Sequence, residues 1–145
     1  MTREVVLDAN VIVAWLDEAD VLAARARELM QRLRDEGAEL VLVDVTVTEA
    51  LSVLCRRAAQ RRTSPPDLAA AIGTIRGWKE SGAIRWIARE QERLLLRVLE
   101  VVEGTAGRLN VNDALLVVLQ DEGRIGAVAS FDSGFDAVSG FVRAW

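Results

Sequence analysis

Short apolar runs alternate from one end of the chain to the other with stretches whose apolar residues recur at helical spacing. Arg3-Glu-Val-Val-Leu7, Leu40-Val-Leu-Val43, Ile84-Arg-Trp-Ile87 and Gly126-Ala-Val-Ala-Ser130 read as strands, being short, apolar and partly β-branched. Between them the pattern predicts helices over Val11–Leu16 with Asn10 as cap, and from Asp20 to a stop at Gly37. Further helices are predicted over Val47 to about Gln60, with Leu51 and Leu54 inward, and from Asp67 to about Lys79 after the Ser64-Pro-Pro66 break. Two more follow: Glu90–Val102, with Leu94, Leu95, Val98 and Val101 inward, and the apolar Ala114–Leu119, opened by Asn112-Asp113 and closed by Gly123. Phe141-Val142 is a candidate edge strand. Such alternation implies an α/β fold with a parallel sheet covered by helices on both faces. No repeat or linker divides residues 1–145, so a single domain is expected.

Two absences narrow the chemistry. The chain has no histidine, which excludes a histidine general base, a Ser-His-Asp triad and histidine-ligated zinc. Its one cysteine, Cys55, excludes an internal disulfide and is expected as a small buried core residue. Any catalysis must come from carboxylates, hydroxyls or a metal ion. The apolar runs are too short to span a bilayer, and Arg3-Glu4 precedes the first of them, so neither membrane span nor signal peptide is expected and the protein is placed in the cytoplasm. A net charge of −4 does not advertise nucleic-acid binding, although an acidic metal site would mask positive charge elsewhere.

The positions of four acids carry the functional argument. Asp8 follows the first strand, Asp132 follows the fourth, Asp113 opens an otherwise apolar helix, and Glu49 is placed in the first turn of the helix after the second strand. Ligands of open α/β sheets bind at the carboxyl ends of the strands, and all four residues fall at such junctions. Taken singly, each is explained as a helix cap, a dipole partner or a turn residue. Taken together they repel one another unless a cation offsets them, and an all-oxygen donor set suits Mg²⁺ or Mn²⁺. Asp44 also lies near an edge and is read as a helix cap or loop residue.

Asp8-Ala-Asn10 after an N-terminal strand, Glu49 early in the third predicted helix, Asn112-Asp113-Ala-Leu115, and Ser130-Phe-Asp132-Ser-Gly-Phe135 together resemble the motif series of PIN-domain ribonucleases, and of the VapC toxins in particular. The resemblance covers essentially the whole chain; Ser130 stands where threonine is commoner. It implies a three-layer α/β/α sandwich around a mostly parallel sheet of four to five strands, and Mg²⁺- or Mn²⁺-dependent hydrolysis of RNA phosphodiester bonds. By the same resemblance Asp8, Asp113 and Asp132 would hold the metal, with Glu49 binding through water or holding a second ion. Asn10 and Ser130 would orient Asp8 and Asp132. Asp136 departs from the family pattern as an extra acid, placed to replace or assist Asp132. It also implies a VapB-like antitoxin and a homodimer. Arg56, Arg57, Arg61 and Arg62 either grip RNA phosphates or form a solvated helix end.

Other readings fit less well. A PIN-like binding module that no longer cleaves RNA would be marked by a missing acid, and all four are present. A phosphatase of the HAD type wants an aspartate where Asn10 stands, and a receiver domain wants an acidic pair near its first strand. Glycine-rich nucleotide loops are missing. A metal–carboxylate site does not by itself separate RNA from DNA.

Overall fold

The computed structural model describes residues 2–61 and 63–145. Its centre is a four-stranded sheet of β1 (Glu4–Leu7), β2 (Glu39–Val43), β3 (Ile84–Arg85) and β4 (Ala127–Ala129), in the order β3-β2-β1-β4. Every pairing is parallel: Val5 lies opposite Leu40 on one side and Ala127 on the other, and Leu42 lies opposite Ile84. The predicted strand at Phe141-Val142 is reduced to a single parallel bridge between Val128 and Arg143.

Six α-helices cover the sheet among the described residues: α1 (Ala9–Leu16), α2 (Ala23–Asp35), α3 (Asp44–Gln60), α4 (Leu68–Glu80), α5 (Gln91–Gly104) and α6 (Val111–Asp121). Alternation along β1 sorts them into layers. Val5 and Leu7 point into a core built with α1, α2 and α3, whereas Val6 points into a second core built with α5 and α6. The result is the three-layer α/β/α arrangement expected for parallel strands, whose two faces must both be covered. Gly126, just before β4, has no room for a side chain, because a Cβ there would run into the Glu4 carbonyl.

Several expectations shift. Asn10 lies inside α1; the cap is Asp8, which keeps an extended backbone (ψ 160°) and accepts the Ala9 N–H. The third helix begins at Asp44, so Glu49 sits in its second turn. Cys55 is exposed, being one residue off the Ala50–Leu54 stripe that faces the core. Leu95 is exposed for the same reason beside the inward Leu94 and Val98. None of the helices is long and apolar enough to cross a membrane among the described residues.

A candidate active site at the carboxyl edge of the sheet

Asp8 turns the chain from β1 into α1 and carries two duties at once. One carboxylate oxygen, Oδ1, accepts the Ala9 N–H at 2.8 Å and so starts the helix. The other, Oδ2, accepts the Ser130 hydroxyl at 2.6 Å and the Asn10 side-chain amide at 3.4 Å. Ser130, fully buried after β4, is a hub: its Oγ also accepts from Asn10 Nδ2 (3.1 Å) and from the Asp132 N–H (3.0 Å). Its one proton and both lone pairs are therefore used. Asn10 closes the ring by accepting the Phe131 N–H at 3.1 Å. These bonds clip the end of β4 to the start of α1.

Asp132 caps the 3-10 turn Ser133–Ala137 by accepting the Gly134 N–H at 2.7 Å. A Cβ at Gly134 would come within 2.9 Å of the Asp132 carboxylate, so any larger residue there requires that carboxylate to shift. Asp113, at the third position of α6, accepts the Asn110 N–H while Asn110 Oδ1 accepts the Asp113 N–H, a capping box. The Asn110 amide meanwhile donates to Glu49 Oε1 and Asn112 donates to Glu49 Oε2, each at 3.2 Å. Asn110 thus ties α3 to α6. Neither its contact nor that of Asn112 was legible in the sequence, because both reach Glu49 across more than sixty positions.

Asp8, Glu49, Asp113 and Asp132 line one pocket of about 230 Å³, joined by Asp20 and Arg57. Burial pushes the Asp8 carboxyl up to about 6, and the charges of Glu49 and Asp132 add to it, against hydrogen bonds from Ser130 and Ala9. Burial and the charge of Asp8 push Asp113 up to about 7, with Glu49 and Asp132 adding and Asn110 opposing. Two buried acids whose neighbours are acids favour either a proton or a cation. Among the described residues no three acidic or cysteine side chains are already closed around one point. The fit to a metal therefore rests on the donor set: hard oxygens from four elements opening into shared space, which suits Mg²⁺ or Mn²⁺ with several retained waters.

The remaining expected residues separate. Asp136 lies outside the pocket, exposed and paired with Arg143 (3.1 and 2.9 Å); it reaches the site only through the Arg143 bond to the Ser130 carbonyl at 3.2 Å. Arg57 lines the pocket, Arg61 is bonded to Asp17, Arg56 is exposed, and Arg62 lies outside the described residues. Asp44 is buried away from the pocket and accepts the Ile87 and Ala88 N–H groups at 2.8 and 3.0 Å, tying α3 to the segment after β3.

Known proteins share this architecture. The structure of VapC20 from Mycobacterium tuberculosis, described as a Sarcin-Ricin loop cleaving toxin, is similar with a TM-score of 0.62 and 22% identity, covering 95% of this chain and 96% of that one. PAE2754 from Pyrobaculum aerophilum is similar with a TM-score of 0.60 and 20% identity, covering 98% of this chain and 84% of that one. No curated protein matches the sequence. The PIN domain model matches residues 5–140, a span that encloses all five acids of the pocket. By that match the chain belongs to the PIN domain family.

Proposed function

We propose that this PIN domain, as a single domain over residues 1–145, is a metal-dependent endoribonuclease and the toxin of a toxin–antitoxin pair. The observation that carries the reading is the convergence of Asp8, Glu49, Asp113 and Asp132, from four separate elements, on one pocket. Membership of the PIN family and the likeness of the fold to a ribonucleolytic toxin support it.

In this reading Asp8, Asp113 and Asp132 hold Mg²⁺ or Mn²⁺, and Glu49 holds it through a water or holds a second ion. When bound, the ion supplies an acidified water and an electrophile for the phosphoryl oxygens. The chain supplies the orientation. Ser130 and Asn10 hold the Asp8 carboxylate in place at the pocket wall by donating to its Oδ2. Asn110 ties the Glu49 side chain to the start of α6, which carries Asp113, by bonding to both residues. Asp136, through Arg143 and the Ser130 carbonyl, steadies the loop that carries Asp132. A VapB-like antitoxin that closes the pocket, and a second copy of the chain, are the partners of the reading; cytoplasmic RNA is the substrate.

The test is cleavage of a labelled single-stranded RNA with Mg²⁺ or Mn²⁺. Cleavage abolished both by EDTA and by Asp8→Asn is the expected result. Full cleavage by Asp8→Asn would overturn the assignment, and absence of both cleavage and Mn²⁺ binding in the wild type would favour a binding module.

A further inference from the structure

Asp20 adds a fifth carboxylate to the pocket lining, and Arg57 is the single cation among the described lining residues. RNA brought to such a pocket carries its own negative charge, so a donor aimed at phosphate must come from somewhere. We infer that Arg57 is the substrate-phosphate contact of this site, locked in position by Asp17 and Asp20. The inference rests on the ribonuclease reading and specifies how the same site takes its polyanion.

The geometry of the lock is specific. Arg57 Nη1 donates to Asp17 Oδ2 at 2.8 Å and to Asp20 Oδ2 at 2.6 Å. Both acceptors are nearly buried, their side chains 1% and 7% exposed. Asp17 is itself fixed: its N–H closes α1 onto Val13, its Oδ1 accepts the Ala19 N–H, and its Oδ2 accepts Arg61 Nη1 at 2.9 Å. A guanidinium carries five N–H donors in one plane. The two on Nη1 are spent on the aspartates, and those on Nε and Nη2 donate to no group among the described residues. That leaves an oriented edge on a residue that lines the acid pocket, in the form that takes two oxygens of a phosphate.

The neighbouring arginines are placed differently. Arg61 holds Asp17 and does not line the pocket; Arg56 is exposed and also outside it. Asp17, Asp20, Arg57 and Arg61 sum to zero charge, so Arg57 acts by directed hydrogen bonds at one phosphate and not by general attraction along the strand.

Arg57→Lys separates this role from a purely structural one. Lysine keeps a cation for Asp17 and Asp20 but has no second edge to offer. Binding of a fluorescein-labelled single-stranded RNA is measured by anisotropy with Ca²⁺ in place of Mn²⁺, alongside KM and kcat with Mn²⁺ and the melting temperature. The expected result is a rise in Kd and KM of roughly tenfold or more, the loss of one charge-assisted donor pair. Melting should shift little, and Arg56→Gln should match wild type in RNA affinity. Unchanged Kd and KM in Arg57→Lys, with wild-type cleavage intact, would overturn this inference alone. A wild type that neither binds RNA nor cleaves it with Mn²⁺ would remove the ribonuclease reading beneath it.

Discussion

Replacing Asp113 by asparagine should make the metal-free protein more stable, by an amount that grows as the pH rises from 3.8 to about 7. Asp113 is 7% exposed, and burial followed by the charges of its acidic neighbours raises its pKa from 3.8 to about 7. Between these values the folded chain binds a proton that the unfolded chain has released, so stability falls as pH rises through the window and the full penalty stands above pH 7. Each tenfold change in proton affinity is worth about 1.4 kcal/mol, which sets the penalty of the ionised native state at no more than about 4 kcal/mol. Asparagine keeps an oxygen for the Asn110 N–H and carries no charge. We expect Asp113→Asn to gain about 2–4 kcal/mol at pH 8 and under about 1 kcal/mol at pH 4.5. For a domain of this size the former corresponds to a rise in Tm of roughly 5–15 °C. Thermal and urea unfolding in EDTA at the two pH values measures it. A variant no more stable than wild type at pH 8, or a gain independent of pH, would refute the reasoning that uncompensated charge is stored in this pocket.

Other substitutions probe the site and the scaffold separately. Gly134→Ala should displace the Asp132 carboxylate, since the added Cβ meets it at 2.9 Å, and should lower Mn²⁺ affinity in calorimetry with little loss of helix signal. Asn110→Ala removes the α6 cap and the bond to Glu49; a loss of about 1 kcal/mol in urea unfolding and a roughly tenfold weaker Mn²⁺ affinity are expected. Asp44→Ala leaves the buried Ile87 N–H and the part-buried Ala88 N–H short of an acceptor and should cost about 1–3 kcal/mol, while the specific activity of the folded fraction stays at the wild-type level. EDTA should lower the Tm of a Mn²⁺-loaded wild type and leave Asp8→Asn unmoved.

Strand–helix alternation was enough to read the parallel sheet and its two helical layers, because β-branched runs and helical spacing survive in the bare sequence. Element edges were harder where tertiary contacts override local preference. Asp44-Val-Thr-Val-Thr48 is a poor helix start by propensity, yet it is helical because Asp44 is occupied by main-chain groups after β3 while Val45 and Val47 are packed into the two cores. The α1 cap falls on Asp8 and not on Asn10, which lies inside the helix and bonds both Asp8 and Ser130. Asp8, Glu49, Asp113 and Asp132 were legible because each lies just after a strand or within the first two turns of a helix. Asp17 and Asp20 were not, since their partners Arg57 and Arg61 lie some forty positions away and only the packing of α1 on α3 joins them.

Glu49, Val53 and Arg57 line the pocket at intervals of four along α3, so a single rigid rod carries both an acid and the cation. At 1.5 Å per residue their backbones are about 12 Å apart along the axis. In the proposed reading the helix is in effect a ruler between the acid that helps hold the metal and the arginine that meets the phosphate. One residue inserted between them would turn everything beyond it by about 100° and lengthen the gap by one step. On the ribonuclease reading, the interval from Glu49 to Arg57 must therefore stay at its present count in any descendant of this chain for both ends to meet the same substrate.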